Sequence, residues 1–183
     1  MVEANDPAAY FTRVIPQQYA AAIETAPTSF AEQPPLTAVF EITGAGGDIF
    51  SLRSAGKQIE VQPGEQVDAP DMHVTMSFDD WRILAGSGAT DMFVDYVQRG
   101  KVMVVKGLKG TVHLELTRSD DSLWHGTIVF GGQAEPTLTV MMSNDDYQAM
   151  LSGELNSQMA FLTGKLKFEG SLPLLMQIGA LAD

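Results

Sequence analysis

Two pairs of adjacent carboxylates are the residues of this chain best suited by type to acid–base or metal chemistry. Asp79-Asp80 closes the segment VTMSFDD, and Asp145-Asp146 closes the segment VMMSNDD. Each pair follows an apolar run and a serine, at the start of a predicted helix. The free N–H groups and the dipole of a helix N-terminus favour carboxylates at that place. We therefore interpret both pairs as parts of helix caps rather than as catalytic or metal-binding groups.

Histidine offers a second candidate site. His113 and His125 lie on the two arms of a predicted hairpin, and Glu115 shares a strand face with His113. These residues do not have the spacing of a zinc motif, and the chain has no cysteine. The sequence therefore favours neither a metal site nor a bound cofactor. Lys165 and Lys167 could contact an anionic group such as a carboxylate, but alternating lysines on a strand are more typical of a solvated face. No catalytic constellation remains, so we do not expect an enzyme.

Length, composition and charge restrict the class of protein further. The chain has 183 residues, is 45% hydrophobic and carries a formal net charge of -12, which fits one domain or two closely fused halves. So few basic residues disfavour nucleic acid and anionic membranes as partners. The N-terminus does not have the pattern of a signal peptide, and the apolar run 172–182 is too short to cross a bilayer. We expect a cytoplasmic protein that does not insert stably into a membrane, and we expect it to be monomeric.

The helices and strands that must position these residues can be predicted from the periodicity of apolar residues and from the capping and turn residues between them. A helix is predicted over 7–25 with a kink at Pro16, followed by an antiparallel meander of three strands. Further strands end at two serine-capped helices, each followed by a short second helix and another strand, and a hairpin lies between the two sets. The predicted strands cover 39–42, 49–52, 58–61, 72–76, 101–105, 111–117, 123–130, 138–142 and 165–168. With a closing helix from Ser171 through Leu181, the predicted fold class is α+β, an antiparallel sheet with helices mainly on one face.

The two capped segments look like copies of each other. VTMSFDDW at 74–81 and VMMSNDDY at 140–147 agree at Val, Met, Ser and both Asp positions. Downstream, 100–102 matches 164–166, and upstream, 40–43 resembles 114–117. Such self-similarity indicates one supersecondary unit used twice.

The second copy resembles a known family. Residues 139–181 have the order of motifs found in the C-terminal half of the sterol carrier protein type 2 domain. These motifs are an apolar strand, an acidic helix start, a Leu-Ser-Gly turn, Ala160-Phe161, Gly-Lys-Leu-Lys at 164–167, a turn at Gly170 and a closing amphipathic helix. The family's N-terminal half, a helix followed by a three-stranded meander, is similar in order to residues 7–62. The pattern departs from the family in one respect, because residues 1–107 read as a unit without its closing helix and 108–183 as a unit without its opening helix.

The resemblance implies non-catalytic binding or carriage of a sterol, fatty acyl or phospholipid tail in an apolar tunnel. Lipid-binding candidates in the second unit are Tyr147, Met150, Leu151, Met159, Phe161, Leu162, Phe168, Leu172, Leu175, Met176 and Ile178; those in the first unit are Trp81, Leu84, Met92, Phe93, Tyr96 and Val104. Methionine suits a surface that accommodates ligands of varied shape. The alternative is a structural or dimerisation module whose cavity is filled by its own side chains. Neither the lipid nor a partner enzyme can be identified from the sequence.

Overall fold

All the strands of the described chain join one sheet. The computed structural model describes residues 5–182. Its strands are β1 Leu36–Thr43, β2 Ile49–Ala55, β3 Gln58–Pro63, β4 Met72–Ser77, β5 Gly110–Thr117, β6 Leu123–Phe130, β7 Thr137–Ser143 and β8 Leu166–Gly170. Across the sheet they follow the order β3-β2-β1-β4-β6-β5-β7-β8. The strands of the first unit therefore form one half of the sheet, and β4 meets β6 at the join.

Helices cover the sheet, and the predicted opening helix over 7–25 is present as α1, a π-helical turn and α2. The helices are α1 Pro7–Ala9, α2 Ile15–Thr25, α3 Pro27–Glu32, α4 Phe78–Gly86, α5 Met92–Gln98, α6 Val102–Gly107, α7 Asn144–Leu151, α8 Ser157–Leu162 and α9 Leu172–Ala182. A π-helical turn, Tyr10–Val14, joins α1 to α2 immediately before Pro16. Because proline has no N–H to donate, the helix widens there and continues. No helix within residues 5–182 is both long enough and apolar enough to span a bilayer.

The sheet is apolar on one face and largely polar on the other. Phe40 lies opposite Phe50 on one side and Val74 on the other, and Val140 lies opposite Phe168. These side chains belong to the same core as the buried residues of the helices. Because side chains alternate along a strand, the opposite face carries Glu41, His73, Thr75, His113, Glu115, His125 and Lys167. The α+β class with helices mainly on one face is confirmed.

Two strand pairings in the described sheet are parallel. The pairs β1–β4 and β5–β7 run parallel, whereas the other five are antiparallel. The prediction of a purely antiparallel sheet is therefore incomplete. Parallel neighbours need a connection that crosses the sheet, and 64–71 makes one such crossing. Ser51 holds this loop against the polar face, since its hydroxyl donates to the Gly64 carbonyl at 2.8 Å and accepts from the Gln66 N–H at 2.7 Å.

Both parallel pairs have the register that the repeat in the sequence suggests. Phe40 lies opposite Val74 in β1–β4, and Leu114 lies opposite Val140 in β5–β7. Three residues further along, Thr43 faces Ser77 and Thr117 faces Ser143. The two halves thus place the same strand end beside the same serine cap. The division into a first unit, residues 1–107, and a second unit, residues 108–183, stays a prediction.

The predicted strand over 101–105 is wrong. This segment forms α6, in which Val102 and Val105 are fully buried and Met103 between them is exposed. The apolar spacing of three residues suits a helix, although the short run can also be read as a strand. The strand position beside β4 is occupied by β6 of the second unit. Residues 101–105 therefore have no unpaired edge of β4 with which to form a strand pair.

A buried carboxylate joins the opening helix to α5. Asp91 caps α5 by accepting the Phe93 N–H at 3.0 Å, and its other oxygen accepts the Tyr10 hydroxyl at 3.2 Å. Its own N–H donates to Oε1 of Gln18 at 2.9 Å. Burial raises the pKa of Asp91 from 3.8 to about 6, although the hydrogen bonds from Phe93 and Tyr10 oppose the shift. Ionisation of the Asp91 carboxylate therefore lowers the free energy of unfolding.

The Asp91 site predicts a pH-dependent stability. Because the pKa is higher in the folded protein, the stability contributed by Asp91 is complete below pH 3.8 and is lost as the pH rises through about 6. An asparagine side chain in its place would keep a capping oxygen without the charge. We expect Asp91→Asn to raise the free energy of unfolding at pH 7 by up to about 3 kcal/mol. Chemical denaturation at several pH values should show this gain shrinking towards pH 4, since the wild-type carboxyl is then protonated as well.

The exposed Asp68 provides the matched control. Asp68→Asn should change the free energy of unfolding little at any of these pH values. An Asp91→Asn gain that stays constant from pH 7 to pH 4, or a loss at every pH, would contradict the proposed cost of burial.

Candidate functional site

Both acidic pairs are parts of helix caps, as the sequence predicts. The Ser143 hydroxyl accepts the Asp146 N–H at 3.0 Å and donates to the Asp146 carboxylate at 2.8 Å, and Ser77 makes the same pair of bonds with Asp80. The basic residue that binds the capping carboxylate differs between the two halves. Lys165 donates to Asp146 at 2.6 Å, whereas Arg118 donates to Asp80 at 3.1 Å. The Lys165 ammonium and then the Ser143 hydroxyl lower the pKa of Asp146, so this carboxylate anchors the start of α7.

The three histidines lie on the polar face of the sheet, each beside a different neighbour. His113 lies opposite Thr127 and shares a 3.0 Å hydrogen bond with its hydroxyl, so His113 and His125 are diagonal neighbours rather than directly paired. His125 is 3.9 Å from the Glu115 carboxylate, and His73 is 3.2 Å from the Glu41 carboxylate. Among residues 5–182 no group of three or more histidine, aspartate or glutamate side chains is arranged to hold a metal ion. Lys167 also lies on this face, opposite Met141.

The predicted lipid-binding residues of the second unit lie on α7, α8, β8 and α9. None of them is fully buried. Tyr147, Met150, Phe168, Leu175 and Ile178 are half-buried and pack against the core. The others are exposed, and we call these six residues the α8–α9 patch: Leu151, Met159, Phe161, Leu162, Leu172 and Met176. The Phe161 ring lies 5.7 Å from the Phe168 ring, which joins the patch to the half-buried layer beneath it.

The first-unit candidates have a different environment. Trp81 and Phe93 are fully buried. Leu84, Met92, Tyr96 and Val104 are half-buried and pack against the core. Two of the first-unit candidates are thus fully buried and none is exposed, whereas none of the second-unit candidates is fully buried and six are exposed.

The opening helix accounts for this difference. Val97 in α5 and Phe161 in α8 occupy matching places, because the carbonyl of each accepts an N–H from the glycine that ends its helix, Gly100 or Gly164. Val97 is 2% exposed, and Gln33, which follows α3, donates to its carbonyl at 2.7 Å. Phe161 is 46% exposed. The second unit has no opening helix of its own, so the face that α2 and α3 cover in the first unit is open around α8.

Contacts at both ends hold α9 in place beside this face. At its start the Ser171 hydroxyl accepts the Leu174 N–H at 3.2 Å, and Leu174 is buried against Gly110. At its end the Arg99 guanidinium donates to the carbonyls of Leu181 and Ala182. Along its length Gly179 lies close to Ser157 at the start of α8. The closing helix predicted from Ser171 is confirmed, and it connects β8 to the first unit.

Arg99, which fixes the end of α9, is not among the site residues predicted from the sequence. Its Nε lies 3.1 Å from the Asp95 carboxylate, one helical turn earlier. Tyr96 and Tyr147 lie near this pair. Burial is the main cause that raises the pKa of both phenols, and the negative charge of Asp95 adds to the effect. The spacing of Asp95 and Arg99 is a visible signal for an ion pair within a helix, but nothing local indicates that the arginine also reaches α9.

Two surface pockets in the described part of the chain lie away from these residues. One is lined by Asn5, Asp79, Arg82 and Ile83 beside α4, and the other lies beside Ser51 and Gln66 on the polar face. Neither includes a predicted lipid-binding residue. The apolar tunnel therefore stays a prediction, and the feature present in its place is an open apolar surface.

Comparison with known proteins identifies relatives of the second half of the chain. The sequence model of the SCP-2 sterol transfer family matches residues 98–183. Peroxisomal multifunctional enzyme A of Dictyostelium discoideum is 42% identical over 57 residues, which are 31% of this chain and 13% of that protein. Hydroxysteroid dehydrogenase-like protein 2 of Bos taurus is 34% identical over 88 residues, which are 44% of this chain and 21% of that protein. The chain thus spans about a fifth or less of the length of these two relatives.

Solved structures with sterol carrier protein titles are also similar to this chain. The sterol carrier protein domain 2 of Helicoverpa armigera aligns at 21% identity with a TM-score of 0.39, over 50% of this chain and 81% of that one. Sterol carrier protein 2 like 2 of Aedes aegypti aligns at 13% identity with a TM-score of 0.27, over 94% of this chain and 97% of that one. Both TM-scores are low, so the assignment rests on the sequence match. By that match, the segment 98–183 of this chain is similar to the SCP-2 sterol transfer family.

Proposed function

We propose that the protein binds or carries the apolar tail of a sterol, fatty acid or phospholipid without catalysing a reaction on it. The observation that carries this proposal is the open apolar surface of the second unit, formed by the α8–α9 patch and the half-buried residues beneath it. This surface lies within the segment that matches the sterol transfer family. The fold of the segment and its exposed surface therefore support the same function.

The chemistry of the surface suits a hydrocarbon. No charged residue occurs in 155–164 or in 170–182, which include α8 and α9. Each methylene that leaves water contributes about 0.8 kcal/mol, so a long tail can bind without a specific polar contact. Met150, Met159 and Met176 are unbranched and flexible, which lets one surface accept tails of different shape. We propose that Phe168, Leu175 and Ile178 form the floor of the site and that the α8–α9 patch forms its rim.

Two cations close to this surface have structural partners. Lys165 is bound to Asp146 at the start of α7, and Arg99 is bound to Asp95 and to the end of α9. Both cations are therefore engaged in the fold rather than free to act on a bound tail. They support a carrier rather than an enzyme.

Burial favours the second unit as the place of binding. Trp81 and Phe93 already fill the corresponding region of the first unit. We propose that the first-unit candidates act as core residues, that 1–107 and 108–183 are two fused units, and that the carrier acts in the cytoplasm. Any partner enzyme remains unidentified.

The alternative is a structural or dimerisation module. Tyr147, Met150, Phe168, Leu175 and Ile178 all pack against the core. If these side chains close the interior completely, no tail can enter beneath α9, and the exposed rim would serve contacts with protein instead.

Phe161→Ala tests the proposed rim. Removing the ring takes away apolar area that a bound tail would cover, so we expect roughly a fivefold weaker affinity for a fluorescent fatty acid. Displacement of this probe by unlabelled fatty acid measures the change. Ile83 on α4 is 44% exposed, close to the 46% of Phe161, and Ile83→Ala is the matched control that should leave the affinity unchanged. Equal loss in both variants, or no probe binding by the wild-type protein at micromolar concentration, would contradict the carrier function.

Native mass spectrometry of protein purified from cells tests the same proposal without a chosen probe. We expect a fraction of the protein to carry an additional mass of a sterol, fatty acid or phospholipid, released on collisional activation. Purification of Phe161→Ala and Ile83→Ala in parallel is the comparison, and the carried fraction should fall only in the former. Ligand-free protein in every preparation would favour the structural module.

A further inference from the structure

The methionines of the described chain differ widely in exposure. The chain has no cysteine, so methionine supplies all of its sulfur. Nine methionines lie within residues 5–182, of which three are buried and three are half-buried. The remaining three are exposed, Met103 in α6 at 66%, Met159 in α8 at 52% and Met176 in α9 at 71%. These three side chains are the methionines most accessible to a reagent dissolved in water.

Two of the exposed methionines lie on the rim of the proposed tail site. Met159 and Met176 belong to the α8–α9 patch, whereas Met103 lies on α6 in the first unit. The helices α8 and α9 meet where Gly179 lies close to Ser157. Met176 comes three residues before Gly179, and Met159 comes two residues after Ser157. Both methionines therefore lie within about one helical turn of the contact between the two helices.

Methionine differs in its chemistry from the rest of the rim. The other four residues of the α8–α9 patch are three leucines and one phenylalanine, whose hydrocarbon side chains resist mild oxidants. The thioether of methionine is oxidised to a sulfoxide, which turns a flexible apolar side chain into a polar one. A polar group that is covered by a hydrocarbon tail loses its hydrogen bonds to water. Oxidation of methionine therefore opposes the binding of a tail at the rim.

We propose that Met159 and Met176 are oxidation sites for hydrogen peroxide and that their oxidation switches off tail binding. This inference rests on the proposed function, since it names a regulation of the same site. The sulfur attacks one peroxide oxygen, so that an S–O bond forms and the O–O bond breaks. The sulfur loses two electrons, and the proton of the transferred oxygen moves to the departing hydroxide. The products are the sulfoxide and one molecule of water.

The contacts around these two methionines allow the fold to survive their oxidation. The start of α9 is held by the Ser171 hydroxyl and its end by the Arg99 guanidinium, and neither contact involves a methionine. Because Met159 and Met176 are exposed, a sulfoxide at either position is hydrated in the free protein and needs no partner. The change therefore acts on the affinity for a tail rather than on the position of α9. Methionine sulfoxide reductases reverse the reaction, so the same site can be restored.

Peroxide treatment followed by binding of a fluorescent fatty acid tests this switch. Peptide mapping by mass spectrometry should find an added oxygen on Met103, Met159 and Met176 before any on the buried Met72. We expect the affinity of the oxidised wild-type protein to be about tenfold weaker, because two apolar contacts of the rim are lost. Methionine sulfoxide reductases should restore the affinity.

Substitutions identify the methionines that are responsible. The measure for each protein is the ratio of its affinities before and after peroxide, whatever its starting affinity. This ratio should stay within about twofold in the Met159→Leu, Met176→Leu double variant, which has no sulfur at the rim. Met103→Leu is the matched control, and it should lose affinity on oxidation as the wild-type protein does. Met159→Gln with Met176→Gln places polar groups at the rim without an oxidant and should bind the fatty acid as weakly as the oxidised protein.

The possible failures are distinguishable from one another. Affinity that is unchanged after both rim methionines are oxidised would overturn the switch and leave the carrier function intact. The same loss in the oxidised Met159→Leu, Met176→Leu variant would also overturn it, since another residue would then be responsible. A circular dichroism spectrum of the oxidised protein that shows unfolding would assign the loss to stability and overturn the switch as well. Absence of binding by untreated wild-type protein would overturn the carrier function and the switch together.

Discussion

One constraint organises this molecule: only one face of its sheet is apolar, and helices must cover that face. The alternation of side chains is in phase across all eight strands, so Phe40, Val74, Leu114 and Val140 lie on the same side. A shift by one residue in any strand would turn its apolar set towards the polar face. The serine caps contribute to this order, because they turn the chain from β4 and β7 into α4 and α7 directly over the apolar side. Every feature of the proposed site depends on how completely that layer is covered.

Helices cover the apolar face more completely in the first half of the chain than in the second half. In the first half, the helical stretch before β1 stacks the Phe11 ring on the Phe50 ring, with the ring centroids 4.5 Å apart. The same stretch buries Val97 in α5. The second half has no segment in that place, because its first strand follows α6 almost directly. The matching position, Phe161, is therefore open. Repetition of the same strand-and-cap arrangement thus gives a filled core in one half and an uncovered apolar surface in the other.

Features encoded by adjacent residues could be predicted from the sequence. The caps at Ser77 and Ser143, the hairpin before Phe130 and the closing helix from Ser171 all depend on signals within a few residues, and all are present. The failures arose where distant segments decide the outcome. Residues 102–107 became a helix because β6 occupies the edge of β4, and Arg99 reaches α9 from the other half. Exposure was equally unpredictable, since Phe161 and Val97 are both apolar and differ only in what covers them.

The same reasoning constrains how a tail could enter. Because α9 is bound at its first turn by Ser171 and at its last turn by Arg99, moving the whole helix would break contacts at both ends. Side chains of α8 and of the outward side of α9 are already exposed and need no such movement. Entry between the exposed side chains of α8 and α9 would break neither of these contacts. The exposed surface, rather than a moving helix, is therefore the route by which we expect a tail to reach the proposed floor residues Phe168 and Leu175.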